Sequence, residues 1–114
     1  MRIFHIATLV DWERARQTGA YTTSTVGRSL DDEGFLHASR REQVAEVFER
    51  YYRDVPDALV LLTIDTDLLE VPWREDQVGE QTYPHIYGPL APGAVVAVQP
   101  ITGSGDGARF TAPG

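Results

Sequence analysis

The alternation of hydrophobic and polar positions at the start of the chain predicts a strand and then a helix. Residues 2–7 alternate and predict a short strand, with Ile3, His5 and Ala7 on one face and Phe4 and Ile6 on the other. Thr8 or Asp11 can cap the helix that follows, and Gly19 is placed to end it. The chain is therefore expected to open with one strand and one helix.

The next part of the chain predicts a loop, a short strand and a second helix. Residues 20–33 are rich in Thr, Ser, Asp and Gly, which indicates a long loop or a frayed pair of strands. Residues 33–38 predict a short buried strand. Ser39 and Glu42 fit the Ser-x-x-Glu capping box of a following helix. That helix should bury a stripe formed by Val44, Val47, Phe48 and Tyr51.

The second half of the chain predicts strands. Residues 58–65 form an apolar run that ends in an acid, which is typical of a central strand buried on both faces. Further strands are predicted over 70–74, where Pro72 favours an edge or a bulge, and over 82–87 and 94–101. We therefore predict an α+β fold, a curved, mostly antiparallel or mixed sheet with two helices packed against it.

Length and composition favour one small domain in the cytoplasm. The chain has 114 residues, of which 42% are apolar, so we predict a single domain over 1–102 and a flexible Gly-rich C-terminal tail over 103–114. No apolar run is long enough to span a membrane, and the N-terminus carries no signal-peptide pattern. With no cysteine there is no disulfide, thiolate metal site or cysteine nucleophile, which fits a reducing compartment.

The charge balance argues for a small-molecule ligand. The net charge is −7 and every cation is an arginine. Because nucleic-acid backbones are bound by clustered basic residues, we expect no nucleic-acid partner. The absence of lysine excludes Schiff-base chemistry. The oligomeric state is left open.

Three histidines, His5, His37 and His85, are the main candidates for chemistry. Each lies in an apolar, strand-like context, and histidine exchanges protons near neutral pH. The alternative is that each is a satisfied core histidine, which the presence of three together makes less attractive. A zinc site would need all three to converge, without a close pair or a cysteine to support it, so we predict no metal.

Two segments beside these histidines predict binding surfaces. Ser39 at a helix N-terminus, with Arg40 and Arg41, can form an anion site, or Ser39 can act as a cap alone. The aromatic and proline-rich segment 83–90 can line a pocket in which Tyr87 stacks on a planar ligand, or it can be an edge strand with a turn.

Among the acidic residues, Glu33 is singled out by its position in the sequence, whereas a second group is expected to be solvated. Glu33 directly precedes the predicted strand that carries His37. Glu75, Asp76 and Glu80 are predicted to form a solvated acidic loop.

Several of these segments together resemble the bacterial "domain of unknown function 952" family. The resemblance covers nearly the whole chain and is carried by Phe4-His5-Ile6, Ser29-Leu30, Glu33-Gly34-Phe35-Leu36-His37-Ala38-Ser39, Leu62-x-Ile64-Asp65 and Pro84-His85-Ile86-Tyr87-Gly88-Pro89-Leu90. The family name implies no activity.

That family is similar, more distantly, to the ADP-ribosyltransferase superfamily, whose split, curved sheet holds an NAD-binding cleft. The resemblance implies that His5 bonds the NAD ribose. In the second motif, Leu36 or His37 stands where those transferases carry a stacking tyrosine. In the third, the strand 84–87 lacks the catalytic glutamate.

Two main hypotheses follow from the resemblance. The first is a transferase or hydrolase acting on NAD or an ADP-ribosylated small molecule, with His5, His37 and His85 as catalytic residues and NAD as substrate. In it, His5, Ser39, Arg40 and Tyr87 bind the nucleotide. The second is a non-catalytic nucleotide or small-metabolite binding module that kept the cleft but lost the glutamate. A third hypothesis is a scaffold whose cleft is vestigial.

Overall fold

The structure is a computed structural model that describes residues 1–101. This part of the chain contains eight strands and three α-helices. The strands are β1 (Arg2–Thr8), β2 (Thr23–Thr25), β3 (Arg28–Ser29), β4 (Leu36–His37), β5 (Leu59–Asp65), β6 (Trp73–Val78), β7 (Gln81–Ile86) and β8 (Val95–Ile101). The α-helices are α1 (Leu9–Thr18), α2 (Leu30–Glu33) and α3 (Val44–Val47). Shorter turns of 3-10 helix lie at Arg41–Gln43, Thr66–Leu68 and Pro92–Ala94, and a π-helical turn at Phe48–Tyr52. The predicted tail over 103–114 lies outside the described residues.

The strands form two three-stranded sheets and one small hairpin. The first sheet has the order β1-β5-β8, the second has the order β4-β7-β6, and β2 pairs with β3. All of these pairs are antiparallel, so the prediction of an α+β fold with mostly antiparallel sheets is confirmed. The two larger sheets are joined by an isolated bridge between Phe4 and Ser39.

Strands β1 and β5 of the first sheet are buried on both faces, whereas β8 is largely exposed. The central strand β5 matches the apolar run predicted to be a central strand, and residues 59–64 are all buried. One face, with Ile3 and Leu62, packs into a cluster that includes Trp12 of α1. The other face, with Phe4, packs into a second cluster under α3 and the π-helical turn. The alternation predicted for β1 therefore divides the core into two halves.

The predicted second helix begins one residue later than expected, with Arg40 rather than Ser39 as its N-cap, so the predicted Ser39 capping box is wrong. The helical segment starts at Arg41, and Gln43 Oε1 accepts a hydrogen bond from the backbone N–H of Arg40 at 3.0 Å. Ser39 is extended instead, because its backbone N–H and C=O both bond to Phe4. Glu42 pairs with the Arg40 guanidinium at 2.8 Å. A long-range strand contact thus overrides a local capping signal.

The buried stripe of this helical segment also departs from the prediction. Tyr51 is 50% exposed, while Tyr52 is 4% exposed and lies in the core with Phe48. The reason is the π-helical turn over Phe48–Tyr52, which widens the helix by about one residue per turn and shifts the buried face. Such turns are frequent at functional sites.

The predicted acidic loop is wrong because Glu75 and Asp76 lie in strand β6. This strand starts after Pro72, pairs along its length with β7, and is joined to it by Gly79 and Glu80. Gly79 has a φ of 64°, as the first position of a two-residue hairpin turn permits.

For segment 20–33 the sequence predicted either a long loop or a frayed pair of strands, and the structure distinguishes the two. The segment contains the β2–β3 pair, so the frayed strands are the correct description, followed by α2 with a capping box between Ser29 and Asp32. No helix within the described residues is long and apolar enough to cross a membrane.

Gly88, two residues after the end of β7, is expected not to tolerate a side chain. A Cβ on Gly88 would lie 2.7 Å from Val71 Cγ1 and 2.9 Å from Val71 Cβ. We expect Gly88→Ala to lower the free energy of unfolding by about 1–3 kcal/mol, because overpacking forces neighbours to move. Urea unfolding measures this change.

The control is Gly93→Ala, because a Cβ on Gly93 meets no atom within 4 Å; its effect should stay within about 0.5 kcal/mol. Adding Val71→Ala to Gly88→Ala should cost less than the two single changes together. Strict additivity of the two changes would contradict the proposed clash.

Candidate functional site

A cavity of about 530 Å³ lies beside the bridge that joins the two sheets. Phe4, Ile6 and Ser39 line it, so it opens where β1 and β4 diverge beyond their contact. Its volume falls in the range of small-molecule sites. The lining residues are Phe4, His5, Ile6, Ser24, Thr25, Val26, Arg28, Glu33, His37, Ala38, Ser39, Glu46, Val47, Arg50, Tyr51, Tyr52, Val78 and Tyr83.

His5 uses both of its ring nitrogens to hold the cavity wall. Nδ1 lies 2.5 Å from the His37 carbonyl oxygen, and Nε2 lies 2.9 Å from the Tyr21 hydroxyl. Because a carbonyl only accepts, Nδ1–H donates to His37 and Nε2 accepts from Tyr21. Burial lowers the pKa of His5 to about 4 despite the bond to His37, so the imidazole is neutral at pH 7.

The backbone of β4 is held by side chains on the edge that faces away from β7. The His37 N–H donates to Ser24 Oγ at 3.2 Å, and the His37 C=O accepts from His5. These two bonds replace the partners that a neighbouring strand would supply. They also fix the position of the His37 side chain.

The edge of β1 beside β4 offers backbone groups to the cavity. Phe4 directs its N–H and C=O to Ser39, at 2.8 and 2.7 Å. In an antiparallel strand every second residue points to the same edge, so Ile6 directs its N–H and C=O there too. Ile6 also lines the cavity, so we expect its backbone donor and acceptor to lie on the cavity side of β1.

Glu33 and His37 form a carboxylate–imidazole pair in the cavity. Glu33 Oε1 lies 3.8 Å from His37 Nε2, and the side chains are 27% and 38% exposed. Glu33 ends α2, and Gly34 in a left-handed conformation (φ 84°) turns the chain directly into β4. Burial lowers the pKa of His37, as does nearby His85, and Glu33 opposes this.

His85 lies next to His37 across the sheet but does not line the cavity. Its Nδ1 lies 2.8 Å from Asp76 Oδ2, and the Tyr87 hydroxyl donates to the same oxygen. Arg74 Nε donates to the other carboxylate oxygen at 2.7 Å. The bond from Tyr87 and the other donors lower the pKa of Asp76, so this carboxylate is ionised and accepts from all three groups.

Some of the predicted nucleotide-binding residues line the cavity and others do not. Ser39 lines the cavity. Arg40 does not: its guanidinium bonds to Glu42, Glu75 and the Thr82 carbonyl. Tyr87 does not line the cavity either, because its hydroxyl is bonded to Asp76 and Arg74 lies over its ring.

Arg28 of β3 and Tyr83 of β7 line the cavity, and Tyr83 belongs to the segment 83–90 that was predicted to line a pocket. Three further lining residues were missed from the sequence as ligand-binding residues: the cation Arg50 and the aromatics Tyr51 and Tyr52, all from the π-helical turn. Arg50 bonds to Glu46 at 2.9 Å. Their common sequence signal was the aromatic and arginine cluster Arg50-Tyr51-Tyr52, which was interpreted as a helix stripe alone. No group of three or more His, Cys, Asp or Glu residues in 1–101 could hold a metal ion.

These features define an α+β protein with a polar cleft between two antiparallel sheets. The chain belongs to the family described as "Protein of unknown function (DUF952)", whose model matches residues 6–98, and the family resemblance is thereby confirmed.

The chain is similar to protein CC0527 from Caulobacter crescentus. With the crystal structure it shares 27% sequence identity and a TM-score of 0.81, covering 95% of this chain and 92% of that one. A solution NMR structure of the same protein gives 28% identity and a TM-score of 0.72, covering 94% of this chain and 90% of that one. The comparison with curated proteins found no match.

Because His5 is buried, we expect the free energy of unfolding to fall as the pH drops from about 6.5 to 4. In that window the unfolded chain binds a proton at this histidine and the folded protein does not. The 2.5-unit difference between 6.5 and 4 corresponds to about 3 kcal/mol. His5→Asn keeps a donor for the His37 carbonyl but cannot titrate.

Urea unfolding of the protein and of His5→Asn at pH 7, 5.5 and 4.5 measures this effect. Carboxylates away from residue 5 contribute equally to both proteins, so the difference in slope reports on His5 and its interaction with His37. We expect the variant to lose less free energy of unfolding across the window. Equal losses would show that His5 does not carry the pH dependence.

Proposed function

We propose that the cleft binds NAD or an ADP-ribosylated small molecule and cleaves or transfers at its ribosyl bond. The observation that carries this proposal is the pairing of Glu33 with His37 inside a cavity that also contains arginines and aromatic rings. A dinucleotide needs a stacking surface, cations for phosphate and a polar wall for the ribose. All three types of group line this cavity.

The backbone of Ile6 is placed to hydrogen-bond a carboxamide group of the ligand. A primary carboxamide presents one donor and one acceptor on the same side, and Ile6 offers the complementary acceptor and donor. Nicotinamide carries such a group. His5 does not contact the ribose in this proposal, because Tyr21 and the His37 carbonyl already occupy its ring nitrogens; it shapes the wall.

Glu33 and His37 would carry the chemistry. In hydrolysis, the bond between ribose C1′ and the nicotinamide nitrogen breaks, and its electron pair leaves with nicotinamide. The Glu33 carboxylate stabilises the cation that develops on the ribose. Water attacks C1′, and neutral His37 accepts the proton that the water loses. In transfer, an acceptor hydroxyl takes the place of water.

A binding module without catalysis is the second candidate. It is favoured by the 3.8 Å between Glu33 and His37, which is longer than a hydrogen bond. It is favoured further by β7, which carries no glutamate. In this case, the same cavity would bind the nucleotide and leave it intact.

Imidazole-detected NMR with excess NAD, followed by analysis of products, tests the proposal. We expect the His37 signal to shift, and nicotinamide and ADP-ribose to accumulate. Glu33→Gln should keep binding and lower product formation by at least about tenfold, because loss of a charged transition-state contact costs about 1.4 kcal/mol or more. Asp31→Asn, on the same helix outside the cavity, is the control.

Three histidine signals unmoved at millimolar NAD would overturn the nucleotide proposal. A shifted His37 signal without products, in the protein as well as in Glu33→Gln, would establish the binding module instead. A loss of product formation in Asp31→Asn equal to that in Glu33→Gln would remove the assignment of Glu33.

Arg28 is expected to bind the phosphates. It is exposed at the cavity rim, in a chain whose net charge is otherwise strongly negative. We expect Arg28→Gln to weaken NAD binding about tenfold, since a charge-assisted bond contributes about 1.5 kcal/mol or more. Arg14→Gln on α1 removes a charge outside the cavity and is the control.

Isothermal titration calorimetry at two salt concentrations measures both variants. Raising the salt should weaken binding to the unchanged protein more than to Arg28→Gln, because exposed charges are screened. Equal weakening by Arg14→Gln would assign the effect to net charge rather than to a phosphate contact.

A further inference from the structure

His85 holds a buried polar atom that no group in residues 1–101 satisfies. Its side chain is 3% exposed, and Nε2 has no hydrogen-bond partner. Nδ1 donates to the ionised Asp76 carboxylate at 2.8 Å, so in the neutral ring Nε2 carries an unused lone pair. Buried polar atoms without partners are rare in folded proteins and lower their stability.

Packing alone gives no reason for a histidine at this position. The ring stacks on Phe35 at 4.0 Å between centroids, with an interplanar angle of 13°. A phenylalanine would fill the same space and stack equally well, without an unpaired nitrogen. Asp76 would keep Tyr87 and Arg74 as donors.

The stacked rings of Phe35 and His85 support the imidazole of His37. The His37 ring lies 4.9 Å from each of them and nearly perpendicular to both, at 81° to Phe35 and 88° to His85. It therefore lies beside the stack, against the edges of both rings. Glu33 contacts the Nε2 atom of His37. His37 thus has a carboxylate as one neighbour and a second imidazole as another.

We infer that His85, oriented by Asp76, is a positioning residue for His37: it fixes the plane of that imidazole at the cavity wall and sets its charge state. The inference deepens the proposed function, because it concerns the group that accepts the proton there. The titratable and charged groups around His37 are Glu33 on α2, His5 on β1, His85 on β7, and, through His85, Asp76 and Arg74 on β6.

The two imidazoles act on one another through charge. A proton on one disfavours a proton on the other at this separation. His85 accordingly lowers the pKa of His37, in addition to the larger effect of burial. A neutral His37 at pH 7 can accept a proton, whereas a protonated one cannot.

The variant His85→Phe tests the inference in the ligand-free protein. We expect its thermal unfolding midpoint to equal or exceed that of the unchanged protein, because the unpaired nitrogen is gone. We expect NMR titration to give a higher His37 pKa, because the variant removes a neighbour whose positive charge disfavours a proton on His37. A large fall in the midpoint would make His85 a structural residue, and an unmoved His37 titration would remove its effect on charge.

Two further variants separate charge from packing. Phe35→Leu removes the other ring that supports His37 without changing any charge. If it shifts the His37 pKa as much as His85→Phe does, the assignment to His85 is overturned.

Asp76→Asn replaces an acceptor by an amide that both donates and accepts. Nitrogen-15 NMR should show His85 as the Nδ1–H tautomer in the unchanged protein and as a mixture in Asp76→Asn; an unchanged tautomer would overturn the role of Asp76.

These measurements need no nucleotide, so they are independent of the proposed function. If NAD does not bind but His85→Phe still shifts the His37 titration, the effect of His85 on His37 is retained and NAD is rejected as the ligand. If NAD is cleaved, His85→Phe should lower product formation and move its pH profile upward with the His37 titration. A profile that stays in place while His37 moves would overturn the catalytic consequence.

Discussion

The cleft depends on one short junction, at which two sheets meet through two backbone bonds and one histidine. Phe4 and Ser39 exchange hydrogen bonds, and one residue along β1 His5 donates to the His37 carbonyl. The junction pairs so few residues that the sheets diverge directly beyond it, and the cavity occupies that space. A longer ladder between β1 and β4 would close the cavity, and without the junction the second sheet would lose its hydrogen bonds to β1.

The two most buried histidines show opposite ways of placing an imidazole in a core. His5 satisfies both nitrogens with protein groups, so burial favours its neutral form and the ring serves as a rigid connector. His85 satisfies one nitrogen and leaves the other unpaired. Fully bonded buried groups rigidify a structure, whereas unpaired ones cost stability. Equal burial therefore does not mean equal roles, and the hydrogen-bond partners distinguish them.

Local periodicity was enough to predict β1, α1 and β5, because their neighbours in sequence decide them. The alternation in residues 2–7 and the apolar run 58–65 each correspond to a strand. The errors arose where distant residues decide. Ser39 has a good capping pattern, yet its backbone pairs with Phe4, 35 positions earlier. Asp76 looked like part of a solvated run because its partners, His85 and Tyr87, are brought to it only by the β6–β7 hairpin.

The candidate site shows how an acid can be supplied from an unexpected part of a fold. The resemblance placed the missing carboxylate on the strand 84–87, and that strand carries none. The carboxylate that lies beside His37 in the cavity is that of Glu33, at the end of α2, because Gly34 turns the chain between this helix and β4. Because catalytic hydrogen bonds are often long without a ligand and tighten in the complex, the 3.8 Å between Glu33 and His37 fits an enzyme as well as a binding module, and product formation separates the two.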